Sequence, residues 1–211
     1  MLKNIQWIKP AEIEKQSFRI IGELLGMRTF DPWQEPVIKR VIHTTADLEY
    51  ADSLIFSSNA VQQGIAALKK GFYIVTDTRM AEAGINKKVL SAFGGSVKCF
   101  MDRTAIAKKA RVLEITRAAL CMDKAAVDPR CKIFAIGNAP TALIRLCELM
   151  DEGKVRPELV IGVPVGFVNV EEAKELLKLT PVPYIIAAGR KGGSNVAAAI
   201  VNALLYMAKD G

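Results

Sequence analysis

Short apolar runs alternate with longer amphipathic stretches along most of the chain. The runs span roughly four to six residues and are rich in Val and Ile, whereas the stretches between them are about 10–16 residues long. Runs of this kind, each followed by a helix, are typical of a largely parallel sheet that is covered on both faces. The predicted strands are residues 53–56, 72–76, 97–100, 132–136, 159–163 and 184–187. The predicted helices are residues 59–70, 102–110, 115–126, 139–152, 170–179 and 194–208.

The first 50 residues follow a different pattern, which predicts two helices in succession. Pro10 begins the first helix, apolar positions follow at helical spacing, and Gly26 ends it. A second helix then leads to His43, just before the first strand. We therefore expect an α/β protein with three layers, α/β/α, a mainly parallel sheet and an N-terminal helical preface. Because no repeat or linker is visible, residues 1–211 are expected to form a single domain.

Composition narrows the class of protein. The chain has 211 residues, of which 51% are hydrophobic, so it can bury a large core. No apolar stretch approaches the roughly 20 residues that span a bilayer, and the N-terminus lacks the pattern of a signal peptide. The four cysteines are scattered, without a CxxC pair, which favours reduced core thiols over a metal site. We expect a cytoplasmic protein that binds no metal and no membrane.

The net charge of +7 does not by itself identify the class of molecule that the protein binds. Proteins that bind nucleic acids usually cluster basic residues with aromatic residues between them, and only 7% of this chain is aromatic. An anionic small molecule fits the charge at least as well as a polynucleotide does.

Four of the predicted strands are followed by unusually polar or glycine-rich loops, at residues 76–84, 137–141, 162–169 and 189–195. In doubly wound sheets, ligands bind beyond the carboxyl ends of the strands, where such loops lie. In the loop at residues 189–195, glycines allow close approach of the backbone, while Arg190 and Lys191 supply charge. Ser194 can cap the final helix, whose N-terminus would then form an anion site. The alternative is a capped turn with solvated basic residues.

Three other features each have a structural and a functional interpretation. Asn138 is expected to cap the helix that begins near residue 139, although ligand contact is the alternative. Residues 162–169 are apolar for a loop, so they either line a pocket for a large, partly apolar ligand or pack inward. Arg117 lies in a helix of small apolar residues, where it either binds a carboxylate or reaches solvent.

His43 is the only histidine in the chain. Histidine is the side chain that ordinarily titrates near neutral pH, so this residue is the first candidate for a role in proton transfer. A surface histidine or a hydrogen-bonded core histidine is the structural alternative. The sequence has no GxSxG, HExxH, CxxC or phosphate-loop motif and no GxGxxG after a strand. These absences disfavour a nucleophile relay, a hydride cofactor or a catalytic metal, and they favour isomerisation within one bound molecule.

Six segments in this order resemble the precorrin-8X methylmutase family, including its cobalt-precorrin-8 branch. The resemblance implies a three-layer α/β/α homodimer with its substrate at or near the subunit interface. It also implies migration of the ring-C methyl group of a corrinoid macrocycle from C-11 to C-12, without a cofactor, any cobalt belonging to the substrate. The segments are IEKQSF (13–18), RVIHTTAD (40–47), TDTRMA (76–81), GNAPTAL (137–143), GVPVGFV (162–168) and GRKGGS (189–194).

The resemblance also implies roles for individual residues. His43 matches the family's catalytic histidine, and Ser17 and Arg117 match positions that contact the substrate. Two alternatives stay open: a non-catalytic corrinoid carrier with the same pocket, and an α/β protein that binds nucleic acids or nucleotides. Four further residues lie in the family's motifs and are predicted to bind substrate, namely Arg40, Thr78, Arg190 and Lys191.

Overall fold

A computed structural model describes residues 7–211 and contains one six-stranded sheet. Its strands are β1 (Leu54–Phe56), β2 (Tyr73–Thr76), β3 (Val97–Cys99), β4 (Cys131–Ile136), β5 (Leu159–Gly162) and β6 (Tyr184–Ala187). The strand order is β1-β6-β5-β4-β2-β3, in which β1 runs antiparallel to β6 and the other pairs are parallel. All six predicted strands are confirmed, with ends within one residue of the predicted ones. The mainly parallel sheet is confirmed as well.

Helices cover both faces of the sheet. They are α1 (Pro10–Leu25), α2 (Glu35–Thr45), α3 (Tyr50–Ser53), α4 (Ala60–Lys69), α5 (Arg79–Gly84), α6 (Lys87–Ala92), α7 (Thr104–Leu113), α8 (Arg117–Ala126), α9 (Pro140–Asp151), α10 (Val170–Lys178) and α11 (Ser194–Asp210). One hydrophobic cluster joins α1, α2, α4 and α11 to one face of the sheet. A second cluster joins α8, α9 and α10 to the other face. The predicted three-layer architecture is therefore confirmed.

Two short helices replace part of a predicted loop. The segment after β2 was expected to be a polar loop over residues 76–84, but α5 and α6 lie between β2 and β3. Thr78 Oγ1 accepts a hydrogen bond from Ala81 N at 3.1 Å, and Asn86 Oδ1 accepts one from Val89 N at 3.1 Å. These capping bonds satisfy free N–H groups in the first turn of each helix, which makes such short helices possible.

The N-terminal helices reach the carboxyl edge of the sheet because β1 is antiparallel. Helix α1 ends at Gly26, as predicted, where φ is 62°. Helix α2 packs on α1 and α11 and ends at Ala46, which adopts a left-handed conformation with φ of 54°. Ser53 O, just before β1, accepts a hydrogen bond from Ala188 N at 2.7 Å, just after β6. The chain from His43 onward thus approaches the loops that follow the parallel strands.

Candidate functional site at the carboxyl edge of the sheet

His43 lies in the last turn of α2 and contacts α1 through two neighbouring residues. Its Nδ1 lies 2.8 Å from Ser17 Oγ, and its ring stacks on Phe18 with centroids 5.2 Å apart. Both ring and hydroxyl are half-buried. Among residues 7–211, Nε2 makes no hydrogen bond. The ring is therefore held at one nitrogen and on one face, which leaves the second nitrogen for a ligand.

Arg40 lies one turn before His43, but its guanidinium is already engaged. It pairs with Glu14 of α1 and lies over the rings of Phe18 and Tyr206, with distances of 4.7 and 5.0 Å to their centroids. These contacts connect α1, α2 and α11, because Tyr206 belongs to the last helix. In this arrangement Arg40 supports the Phe18 ring against which His43 stacks.

Lys191 connects the glycine-rich loop after β6 to the turn after His43. Its Nζ lies 2.6 Å from Asp47 Oδ2 and 2.5 Å from Glu49 Oε2. The hydrogen bond from Lys191 lowers the pKa of the Asp47 carboxyl below its ordinary value. Because two carboxylates surround one ammonium, the charge of Lys191 is compensated within the protein.

Arg190, the preceding residue, lies at the exposed side of the same loop. Its Nε is 2.9 Å from Glu171 Oε1, and its guanidinium lies 5.9 Å from the ring centroid of Phe167. Both partners of this ion pair are at least half exposed, and such pairs contribute little to stability. A ligand carboxylate can therefore exchange with Glu171 at low cost.

The loop after β5 lies directly against the glycine-rich loop. Gly193 N donates a hydrogen bond to Val163 O at 3.0 Å, and a Cβ added at Gly192 would lie only 2.2 Å from that same oxygen. Only glycine allows this approach. Beyond Val163 the loop turns outward, so that Phe167 is 85% exposed and Val168 is 75% exposed. Phe167 and Val168 therefore do not pack inward, and the lining of a ligand pocket stays a prediction for this segment.

Asp77 holds the start of α9, and this contradicts the predicted cap. Its buried carboxylate accepts hydrogen bonds from Gly137 N, Asn138 N and Ala139 N at 2.7–2.9 Å. Burial raises the pKa of Asp77, and these three hydrogen bonds oppose that rise. The side chain of Asn138 makes no cap; it is exposed, and Ala139 occupies the N-cap position. The prediction for Asn138 was wrong because the carboxylate of Asp77, the residue directly after β2, takes over its role.

The predicted cap of the last helix was wrong in a similar way. Gly193, not Ser194, occupies the N-cap of α11, and no side chain caps this helix. Ser194 Oγ instead lies 2.7 Å from Thr78 Oγ1, which itself caps α5. Thr78 thus lies beside the start of α11, at the edge that also carries the glycine-rich loop.

Lys174 is a further residue at this edge that sequence reasoning missed. It is only 1% exposed, and its Nζ donates hydrogen bonds to Gly189 O at 2.7 Å and to Lys191 O at 2.9 Å. Burial lowers the pKa of this ammonium from 10.5 to about 8, although the nearby Glu171 acts in the opposite direction. A signal was present, because Lys174 shares a helix face with the buried Ala173 and Leu177.

Arg117 lies apart from the residues around His43. It is the exposed first residue of α8, in the layer on the opposite face of the sheet. It borders a cleft of about 410 Å³ that is also lined by Arg111, Glu114 and Ile115. Within the described chain, His43 contacts Ser17 directly, and Arg40 contacts the Phe18 ring on which His43 stacks. Lys191 binds the turn that follows His43, and within residues 7–211 no comparable contact joins Arg117 to this group.

Residues 7–211 offer no group of three His, Cys, Asp or Glu side chains that could hold a metal ion. Within the same range, no helix is long and apolar enough to cross a membrane. The four cysteines are free; three are buried, and burial raises the pKa of Cys121 and Cys147 to about 12 and that of Cys131 to about 11. These thiols are poor nucleophiles at neutral pH.

The fold and these side chains define a doubly wound α/β protein whose carboxyl edge gathers one histidine, basic side chains and exposed apolar residues. Comparison with known proteins identifies the family. The family profile described as Precorrin-8X methylmutase matches residues 12–207. The chain belongs to the precorrin-8X methylmutase family.

Individual relatives are similar over nearly their whole length. The cobalt-precorrin-8 methylmutase of Salmonella typhimurium is 46% identical over 208 residues, covering 96% of this chain and 97% of its own. That of Priestia megaterium is 43% identical over 204 residues, covering 97% and 91%. The crystal structure of precorrin-8X methylmutase from Thermus thermophilus superposes with a TM-score of 0.87 at 40% identity, covering 95% of this chain and 98% of the other.

Proposed function

We propose that this protein moves the ring-C methyl group of cobalt-precorrin-8, or of precorrin-8, from C-11 to C-12, with His43 transferring a proton. As a member of its family, the protein is a methylmutase, an isomerase of cobalamin biosynthesis. The product is cobyrinic acid, or hydrogenobyrinic acid where cobalt is absent. Since the migrating methyl group never leaves the molecule, the reaction needs no methyl donor.

The contact between His43 and Ser17 carries the proposed mechanism. When the ring is protonated, Nδ1–H donates to Ser17 Oγ at 2.8 Å, and Nε2–H is the proton that can be transferred. Protonation of the conjugated macrocycle makes the receiving carbon more electrophilic, which favours the migration. Because substrate and product are isomers, the proton must return to Nε2 before the next turnover. A general acid in such a position typically contributes about 10²–10⁴-fold to the rate.

The surroundings of His43 suit a broad apolar ring fringed by carboxylates. Phe167 and Val168 offer exposed apolar surface, and Arg190 can exchange Glu171 for a substrate carboxylate in bidentate geometry. Five other residues are proposed to contact the substrate or to hold the side chains that contact it. These are Ser17, Arg40, Thr78, Arg117 and Lys191.

For the metal content of the substrate, we propose the cobalt form. The relatives from Salmonella and Priestia, at 46% and 43% identity, are both named for cobalt-precorrin-8. The cobalt would belong to the macrocycle, and no cofactor of the protein is proposed. Initial rates with cobalt-precorrin-8 and with precorrin-8, measured on chelator-treated enzyme, test both statements. A higher kcat/KM with the metal-free substrate, or loss of activity on chelation, would contradict them.

We also propose that the protein acts as a homodimer with its site at or near the interface. Helix α1 exposes Ile13, Ile20 and Leu24 on one side, and Ser17 lies along the same side. A second copy of this chain that covers this stripe would close the site beside His43. Light scattering after size exclusion should show a dimer for the wild type and a monomer for Leu24→Glu. A monomeric wild type would refute the proposal.

Turnover by His43 variants tests the mechanism. His43→Ala and His43→Gln are expected to fold, to bind cobyrinic acid with a visible absorbance change, and to lose turnover by about 10²-fold or more. Thr44→Ala, an exposed neighbour on the same helix, is the matched control and should keep normal turnover. Full turnover by both His43 variants would refute the proposed role of His43 in proton transfer. Binding of product without any turnover by the wild type would instead support a corrinoid carrier.

We further propose that the enzyme works in the cytoplasm and binds no nucleic acid. Four free cysteines suit a reducing compartment. The charge of +7 is the one observation that favours nucleic acids, and binding to DNA or RNA that weakens steeply with salt would overturn this part of the proposal.

A further inference from the structure

The buried Lys174 has no part in the proton transfer described above, yet it contacts the loop that carries Arg190 and Lys191. It lies in α10, with its side chain directed at the backbone of the loop after β6. We propose that Lys174 is a positioning residue: it fixes the backbone of residues 189–191 so that Arg190 presents its guanidinium to a carboxylate of the substrate. This inference rests on the proposed function.

The first support is the hydrogen-bond geometry. One ammonium donates to two carbonyl oxygens, Gly189 O and Lys191 O, which flank Arg190 on either side. Gly189 adopts φ of 69°, so the backbone turns sharply at this point. With both carbonyls bound to the same nitrogen, the backbone of Arg190 has little freedom to rotate.

The second support is that the rest of the loop is held at other points. Lys191 Nζ contacts Asp47 and Glu49, and Gly193 N donates to Val163 O. Arg190 O accepts one hydrogen bond, from Gly166 N at 3.3 Å, and its side chain makes an exposed pair with Glu171 that cannot fix the backbone. Among the side chains of the described residues, Lys174 is the one that binds the carbonyl groups on both sides of Arg190.

The third support is the energetic cost of placing a lysine here. An ammonium that is 1% exposed loses most of its hydration, and only hydrogen bonds and Glu171 compensate for this loss. A methionine of similar length would fill the same space without that cost. Charged donors form hydrogen bonds about twice as strong as neutral ones, so the protonated form holds the two carbonyls most firmly.

The charged groups near Lys174 set its titration. Glu171, on the same helix, favours the ammonium, and Arg190 and Lys191 lie on the loop that packs against it. Since burial dominates and lowers the pKa to about 8, the ammonium is lost at mildly alkaline pH. The wild-type KM for cobalt-precorrin-8 should therefore rise above about pH 8, while kcat changes less.

The test compares Lys174→Met, Lys174→Gln and the wild type in steady-state turnover of cobalt-precorrin-8. We expect KM to rise about tenfold in Lys174→Met and by less in Lys174→Gln, with kcat within about threefold of the wild type. The alkaline rise in KM should be absent from both variants. Lys178→Met removes a partly exposed lysine from the same helix, one that pairs with Glu175, and should keep the wild-type KM.

The outcomes distinguish a failure of the positioning role of Lys174 from a failure of the proposed function. If the wild type does not convert cobalt-precorrin-8, the proposed function fails. If the wild type is active and a folded Lys174 variant keeps a KM within about twofold of its value, the positioning role is refuted. If neither variant folds, the wild-type pH profile decides, because a KM that stays flat through about pH 9 contradicts the role of the ammonium.

Discussion

Removing the buried charge of Lys174 should change how the stability of the protein depends on pH. In the folded protein its pKa is lowered from 10.5 to about 8, so the folded state releases the proton before the unfolded chain does. Between these two values unfolding takes up a proton, and the free energy of unfolding rises with pH. One pKa unit corresponds to about 1.4 kcal/mol. From about pH 7 to about pH 9.5, this group should contribute a gain of about 2 kcal/mol.

Lys174→Met lacks this titration. The free energy of unfolding of the wild type should therefore rise by about 2 kcal/mol relative to that of the variant over the same pH interval. Urea unfolding followed by circular dichroism, in the presence of a reductant, measures both free energies at each pH. Taking the difference between the two proteins cancels the titration of the buried cysteines, and Lys178→Met shows the effect of losing a lysine from the same helix. If the difference in free energy of unfolding between the wild type and Lys174→Met changes by less than about 0.5 kcal/mol over this pH interval, the lowered pKa of Lys174 is refuted.

Three other substitutions probe the carboxyl edge. Asp77→Ala should lower the free energy of unfolding, measured by urea titration, by about 2–4 kcal/mol, because three backbone N–H groups lose their acceptor. A loss below about 1 kcal/mol would contradict this. Gly192→Ala should weaken the binding of cobyrinic acid in an absorbance titration, since its Cβ would lie 2.2 Å from Val163 O and the loop must move; unchanged affinity would speak against a binding role for this loop. Ser17→Ala should lower kcat about tenfold, less than His43→Ala does, because one hydrogen bond to the ring is lost; an unchanged kcat would show that His43 does not need this partner.

The strands could be predicted from the sequence because their apolar runs are local and end at polar or glycine-rich residues. The direction of β1 could not, since it depends on how the N-terminal helices return the chain to the sheet. Helices α5 and α6 were missed because a polar segment of that length also suits a loop; their capping residues, Thr78 and Asn86, are identified by the structure.

The candidate site was predictable to different degrees. His43 stood out as the only histidine, and its partner Ser17 came from the family resemblance, since 26 residues of chain separate the two. The cap at Asn138 was a reasonable local expectation that failed because Asp77, which directly follows β2 and is distant in sequence, supplies a charged acceptor. Lys174 shares the spacing of the buried residues of α10, but it was passed over because a lysine on a helix usually reaches solvent.

The antiparallel pairing of β1 has a consequence for synthesis on the ribosome. His43 is translated early, but β1 pairs only with β6, which emerges after the four strands that lie between them in the chain. The apolar face of α2 packs on α11, which emerges later still. Until then, of the two partner helices α1 and α11, only α1 is available to cover the apolar face of α2, which consists of Val37, Ile38, Val41 and Ile42. The nascent chain therefore carries an incompletely covered apolar segment for most of its synthesis, and the carboxyl edge of the sheet is complete only after β6 and α11 have emerged.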